Sequence, residues 1–321
     1  MTQPSAIVEH PVQDHPQLAR ELAQRVSLET LVRVDEPLAK RTTLRVGGPA
    51  DLYVEPASED DLAATLRFCG ERELKFFVLG RGSNLLVRDG GFRGVVICLV
   101  HGNFSRIEIE GERLCCGAGA RLKQVAVEAR RQALSGVEFL EGIPGSVGGA
   151  LRMNAGAMGL WTFNAVESVR VMDHDGCVSE KVATEIYVEY RCCPLFKTHL
   201  ALGAVFQCRA ATREEIEQRM NTYSQKRWES QPAAPSAGCM FKNPDDIPAG
   251  KLLDELGLKG TRIGGAVVSD EHGNFIVNTG DATARDVLEL IAVLKARVRD
   301  ERGVELETEV EIIGESERLG I

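Results

Sequence analysis

No apolar stretch in this 321-residue chain is long enough to cross a bilayer, so no transmembrane helix is expected. The first residues lack an apolar run as well: Pro4, Glu9, His10, Pro11 and Asp14 interrupt them, which speaks against an export signal. A basic excess is also missing. Lys and Arg total 38 against 47 Asp and Glu, and the net charge of −9 disfavours nucleic acid as the main partner while leaving room for a local phosphate site. No Cys-x-x-Cys occurs among the nine cysteines, and the adjacent pairs 115/116 and 192/193 do not give zinc-finger spacing, so no metal is expected. An odd number of cysteines without an export signal fits free thiols in a reducing cytosol, and a cytoplasmic location is expected. No internal repeat, low-complexity tract or long heptad pattern is present, and the chain is expected to act as a monomer.

What is present reads as an ordinary globular protein. Hydrophobic residues make up 44% and charged residues 26%, which argues against disorder, and the length suggests two or three domains. Residues 1–16 are polar, hold three prolines and read as a tail; 17–32 suit a short helix. DLYVEP at 51–56 alternates as a strand. Ser58 and Asp61 resemble a capping box for a helix with Leu62, Leu66 and Cys69 on one stripe. Lys75–Leu79 reads as a buried strand that completes a β-α-β unit, and 94–100 as another strand. Residues 106–110 and 113–116 flank Gly111 as a hairpin. A helix carries Leu122, Val125, Ala126, Ala129 and Ala133. Strands return over 165–173, 176–189 and 200–209. Thr212–Ser230 is a polar helix, Val287–Val298 the core of the last long one, and Glu309–Gly314 a closing strand. The pattern is α+β.

Two glycine-rich loops stand out. Gly80-Arg81-Gly82-Ser83-Asn84-Leu85 follows a strand, and glycines there let backbone N–H groups turn toward an anion such as a diphosphate. The loop is neither a Walker A motif, since no Gly-Lys-Ser/Thr ends it, nor the Rossmann fingerprint, since the third glycine is missing. The second stretch, Gly142-Ile143-Pro144-Gly145-Ser146-Val147-Gly148-Gly149, leads into Asn154 and Gly156. So much glycine suggests close approach of backbone to a flat ligand. Two such loops beside strands suit a large dinucleotide held extended between subdomains.

Taken in order, RVGGPAD at 45–51, GRGSNLLV at 80–87, GIPGSVGGALRMNAGA at 142–157, the pair Tyr190-Arg191 and PSAGCMFKNP at 235–244 resemble the UDP-N-acetylenolpyruvoylglucosamine reductase family. The likeness runs from about residue 27 to 315 and is to the shorter class, without the insertion that brings a substrate-binding tyrosine in the other. The resemblance implies a fold: a vanillyl-alcohol-oxidase-type pair of α+β subdomains holding FAD, at 27–100 and 101–210, and a substrate-binding α+β domain at 211–321, after a terminal segment 1–26. It implies non-covalent FAD, held by Gly80, Arg81, Gly82, Ser83, Asn84, Leu85, Gly142, Ile143, Gly145, Ser146, Gly149, Asn154 and Gly156. NADPH is implied as co-substrate, although no dedicated pyridine-nucleotide site is legible. The implied chemistry is hydride transfer from flavin N5 to an enolpyruvyl ether of UDP-N-acetylglucosamine, followed by protonation of the neighbouring carbon.

That chemistry places negative charge on the substrate carboxylate, and positive charge must sit where it develops. Arg191 matches the family's catalytic arginine, and its planar fork suits a carboxylate. Glu309 matches the catalytic glutamate by its place before Val310, among neighbours Glu305, Glu307 and Glu311; it orients the proton donor or polarises the substrate carboxyl. The sequence departs from the family at the donor. Serine is usual there, and this chain has Cys239. A thiol, with a pKa of about 8.5, is a much stronger acid than an alcohol. Arg191 favours its thiolate and Glu309 its thiol; a neutral thiol, open to alkylation or oxidation, is expected. Cys98 and Cys208 read as inert packing. Substrate contacts are carried to Tyr190, Lys242, Asn243 and His272, while Lys226 and Arg227 either neutralise a diphosphate or face water. Two rivals stay open: an oxidase of the same fold with covalently linked flavin, and a non-catalytic nucleotide-binding module.

Overall fold

The computed structural model describes residues 14–316; most of the expected tail lies outside them. Helix α1 (His15–Ala23) starts at Asp14, whose side chain accepts the Gln17 N–H. It ends well before residue 32. The Ser27 N–H and hydroxyl bond instead to the Asp61 carboxylate, at 2.7 and 2.8 Å, and turn the chain into a strand at Leu31–Pro37 that the sequence pattern did not reveal.

That strand opens a four-stranded sheet in the order Leu31–Pro37, Pro49–Glu55, Phe92–Cys98, Phe76–Leu79. The first pair is antiparallel and the others parallel. Helix α2 (Glu59–Glu71) is capped by Ser58, which accepts the Asp61 N–H at 3.1 Å, and buries Leu62, Leu66, Phe68 and Cys69. Burying each large apolar side chain contributes roughly 1.5–3 kcal/mol. The edge strand is a correction to the expected buried one. Only Leu79 is buried, and Phe76, Phe77 and Val78 are partly exposed because they wall a cleft.

The second sheet is antiparallel, in the order Val178–Val182, Val166–Asp173, His199–Gln207, Arg113–Gly117, Ile107–Glu110. The expected hairpin around Gly111 is there. The expected strand over 176–189 stops at Val182, where a 3₁₀ turn at Ala183–Glu185 breaks it. Helix α3 (Leu122–Arg131) follows the hairpin, and α4 (Val147–Arg152) is a short helix inside the glycine-rich stretch. Helix α5 (Arg213–Ser230) begins with reciprocal bonds between Thr212 and Glu215. The expected division at 211 grouped it with the third region. Ile216 and Met220 join the same buried core as Leu122, Phe139 and Leu62. That core runs through both expected subdomains.

A separate core holds the third region. It comprises a sheet in the order Ser236–Cys239, Phe275–Asn278, Ala266–Val268, Arg262–Ile263, with α6 (Ala249–Glu255) and α7 (Ala284–Arg302). Val287, Ile291, Leu294 and Val298 bury as their spacing requires. Leu44, Val46 and Leu86 enter this core from the first region. The closing strand, Glu311–Ile313, pairs parallel with Leu85–Val87, so the end of the chain returns to the first glycine loop.

Candidate active site

A cleft of about 880 Å³ is walled by Phe76–Arg81 on one side and by Ala118, Gly119, Gly148 and Gly149 on the other. It shares Gly80, Arg81, Ser146, Gly149, Arg152, Arg191 and Glu309 with a second cavity of about 250 Å³. The two glycine loops meet here, where the Ser83 hydroxyl donates to the Pro144 carbonyl. Every expected cofactor residue except Asn154 lines one of the two cavities.

The glycines serve two purposes. Gly82 adopts φ +61°, and a Cβ there would lie 2.6 Å from the Arg41 carbonyl oxygen, so the turn admits only glycine. A Cβ on Gly142 would meet no protein atom within 4 Å; its missing side chain leaves space for a guest. Walls of exposed backbone beside a partly apolar floor fit a flat, extended dinucleotide such as FAD. Asn154 has a different task. Its Nδ2 donates to the Glu189 carbonyl and its Oδ1 accepts the Phe163 N–H, each at 3.3 Å, which ties the second loop to the turn bearing Arg191.

Arg191 stands in a tight turn closed by Glu189 and Cys192, whose backbones exchange hydrogen bonds of 2.8 and 3.3 Å. The turn forces φ of +56° on Arg191, a strained conformation for a side chain of this kind. Its Nε donates to Glu309 Oε1 at 2.7 Å, and its Nη1 is buried without a partner among the described residues. Glu309 is placed by its backbone: its N–H donates to the Met240 carbonyl and its own carbonyl accepts from Asn84 Nδ2 at 3.1 Å. Asn84 thus anchors the glutamate as well as walling the cavity. Of its neighbours, Glu307 is exposed and pairs with Lys242 at 2.9 Å, and Glu311 pairs with Arg152. Only Glu309 meets Arg191.

Cys239 ends the strand Ser236–Cys239, beside the Glu309 segment, and lines the smaller cavity with Arg191 and Glu309. Burial, reinforced by Glu309 and opposed by Arg191, pushes its thiol up to about 12. Alkylation needs the thiolate, the form that burial disfavours, so the raised thiol bears directly on the expected sensitivity to alkylation. Cys98 and Cys208 are buried, and burial pushes both thiols up.

The expected substrate residues divide. Lys242 lines the larger cavity. Tyr190 stacks its ring on Arg191, and burial, then Glu309, raises its phenol against Arg191 and the Asn243 N–H. Asn243 lines neither cavity; its Oδ1 accepts the Ala249 N–H at 3.1 Å at the start of α6. His272 lines neither as well. Its ring packs against Gly250 and Phe275, its Nδ1 accepts the Asn274 N–H at 3.1 Å, and burial beside Lys259 lowers its pKa. The geometry thus places the His272 ring in packing and hydrogen-bond contacts at the start of α6, away from both cavity walls. Arg227 is half-buried near Trp228, and Lys226 faces water. The sequence reading missed Arg152, Glu311 and Trp161. The first two had a signal: Glu311 follows Glu309 at strand spacing, and Arg152 ends the glycine segment.

Residues 50–180 match a family model for an FAD binding domain, and 231–313 match one for the UDP-N-acetylenolpyruvoylglucosamine reductase C-terminal domain. The chain is 44% identical over 292 residues to the UDP-N-acetylenolpyruvoylglucosamine reductase of Pelobacter propionicus, covering 90% of this chain and 98% of that one. It is 41% identical over 286 residues to the reductase of Syntrophomonas wolfei, covering 88% and 95%.

The chain belongs to the UDP-N-acetylenolpyruvoylglucosamine reductase family.

The crystal structure of the reductase from Thermus caldophilus superposes with a TM-score of 0.77 at 40% identity, covering 88% of this chain and 98% of that one. The family's C-terminal model begins at residue 231, directly after α5. As expected of an FAD-binding reductase, helix and strand are mixed throughout. No helix among the described residues is long and apolar enough to cross a membrane.

Proposed function

We propose that this chain reduces UDP-N-acetylenolpyruvoylglucosamine to UDP-N-acetylmuramate with NADPH as the electron source, and that Arg191, Glu309 and Cys239 carry the substrate half of the reaction. The observation that supports this most is their convergence. Three distant segments bring an arginine with one unfilled N–H group, a carboxylate and a neutral thiol to the wall of one cavity beside the glycine loops. FAD, when bound along those loops, supplies the hydride.

Arg191 binds the substrate carboxylate through Nη1 and holds the negative charge that grows there. A guanidinium fork suits this task better than an ammonium, because it keeps its pairing with Glu309 while presenting a second donor. Glu309 orients that fork. Cys239 holds a proton on Sγ and delivers it to the carbon next to the carboxylate; its raised pKa keeps the proton in place before turnover. Lys242 serves as a phosphate partner on the wall of the larger cavity, already held charged by Glu307. The working unit is a monomer; a sedimentation measurement of active enzyme at twice the chain mass would count against this.

An anaerobic titration followed by flavin absorbance tests the proposal. NADPH should bleach the oxidised bands, and the enolpyruvyl substrate should restore them. Restoration should slow by about 10²–10⁴-fold in Cys239→Ala and be largely kept in Cys239→Ser. Full-speed restoration in Cys239→Ala would remove the thiol from the mechanism. Flavin that stays with acid-precipitated protein would favour the covalent oxidase, and binding without bleaching would favour the non-catalytic module.

A further inference from the structure

We infer that Trp161 is the positioning residue for the Arg191 guanidinium. The inference rests on the reading of Arg191 given above. The guanidinium carbon lies 5.5 Å from the Trp161 ring centroid and 5.0 Å from that of Tyr190. The two rings meet edge to face, 5.7 Å apart at 83°. Neither ring lines the cavities, so both act on Arg191 from outside the cavity walls.

Trp161 is itself well seated. Its backbone pairs with Gly156, and its N–H donates to Asn164 Oδ1 at 2.8 Å. Its ring lies so close on Gly156 that a Cβ there would come within 2.5 Å of Cε3. Gly156 in turn lines the smaller cavity. The segment that walls the cavity therefore also sets the depth of the indole.

The physical need is specific. Arg191 is joined to Glu309 by Nε alone, and a guanidinium held at one nitrogen can swing about that contact. A second carboxylate would stop the swing but would also take the free Nη1 donor. A ring face stops it without taking a donor, because the attraction is between the cation and the π quadrupole. Trp161 thus leaves Nη1 available for a carboxylate while restricting where it points.

The test is a double-mutant cycle on the FAD-loaded enzyme, with Trp161→Leu, Arg191→Lys and their combination, and with Trp161→Phe as the conservative variant. Stopped flow measures flavin reoxidation by the enolpyruvyl substrate, and flavin reduction by NADPH serves as the control. Trp161→Leu should slow reoxidation by about three- to thirty-fold, with a smaller change in half-saturating substrate and no change in reduction by NADPH. Trp161→Phe should recover most of the rate. In the Arg191→Lys background the Leu substitution should add little. The same slowing in both backgrounds, or a Phe variant as slow as the Leu variant, overturns the inference. Full-speed reoxidation in Arg191→Lys alone would remove the reading of Arg191 and this inference with it. Trp161→Met replaces Trp161→Leu if the latter fails to retain FAD.

Discussion

Two arginine–glutamate pairs border the same cleft, with their carboxylates two residues apart on the closing segment, and they differ in what they leave unfilled. Arg152 commits both terminal nitrogens to Glu311, Nη2 to Oε1 at 2.7 Å, with the second bond parallel to it. Arg191 commits Nε to Glu309 at 2.7 Å and keeps Nη1 buried without a partner among the described residues. Exposure follows the same division. The side chains of the first pair are 44% and 29% exposed, those of the second 20% and 11%. The first is a closed clamp between α4 and the final strand, more open to water than the second. The second holds charge in a drier place with a donor to spare. An ion pair is therefore informative about function through the valence it has not filled, more than through its length.

The largest break in this comparison should come from removing each arginine. Arg191→Met should slow substrate-driven flavin reoxidation by about 10²–10³-fold. Arg152→Met should slow it by less than about fivefold. Equal losses in stopped flow would erase the distinction.

Proton supply gives a second contrast. In the proposed mechanism the neutral thiol is the donor, and a pKa raised to about 12 keeps Cys239 protonated, so loss should set in only as pH climbs toward that value. Reoxidation should stay level from about pH 7 to 10, where an ordinary thiol near 8.5 would already have ionised. An inflection near 9 that disappears in Cys239→Ser would mean that the thiol is not held neutral.

Stability should separate the pairs more gently. Glu309→Gln should lower the unfolding free energy by about 2 kcal/mol, since it weakens a charged hydrogen bond in a largely buried place. Glu311→Gln should cost at most about 1 kcal/mol. Urea midpoints of the two variants check the order. The smallest effect is expected from a double charge swap, Arg152→Glu with Glu311→Arg, which should return stability to within about 1 kcal/mol of the parent. The same swap at 191 and 309 should leave the enzyme inactive, because the free donor would no longer face the cavity.

Much of the fold was legible where local chemistry and tertiary demand agree. Ser58 caps α2, α5 runs close to its expected bounds, and Leu62, Leu66, Val287 and Leu294 are buried as their spacing requires. Legibility failed where a distant contact overrode the local pattern. Asp61 turns Ser27 out of a helix, the cleft leaves Phe76–Val78 half open, and the core of the first two regions captures α5 through Ile216 and Met220. The site shows the same division. The glycine loops could be found because backbone exposure needs glycine wherever it occurs. The expected substrate residues were harder to place: His272 lines neither cavity, and a lone polar side chain carries no mark in the sequence of the direction it faces.

The sequence by itself determined the loops, the caps, the buried stripes and the residue types available for acid and charge chemistry, because each depends on neighbours only a few positions away. Only the tertiary structure decided that the Glu309 carboxylate takes the Arg191 Nε donor, which arginine keeps a free donor, that burial raises the Cys239 thiol, and that the Trp161 ring lies against the guanidinium. These depend on burial and on contacts between segments far apart in the chain, such as 191 with 309, where a change of one residue in register would exchange Glu309 for a neighbour facing the other way.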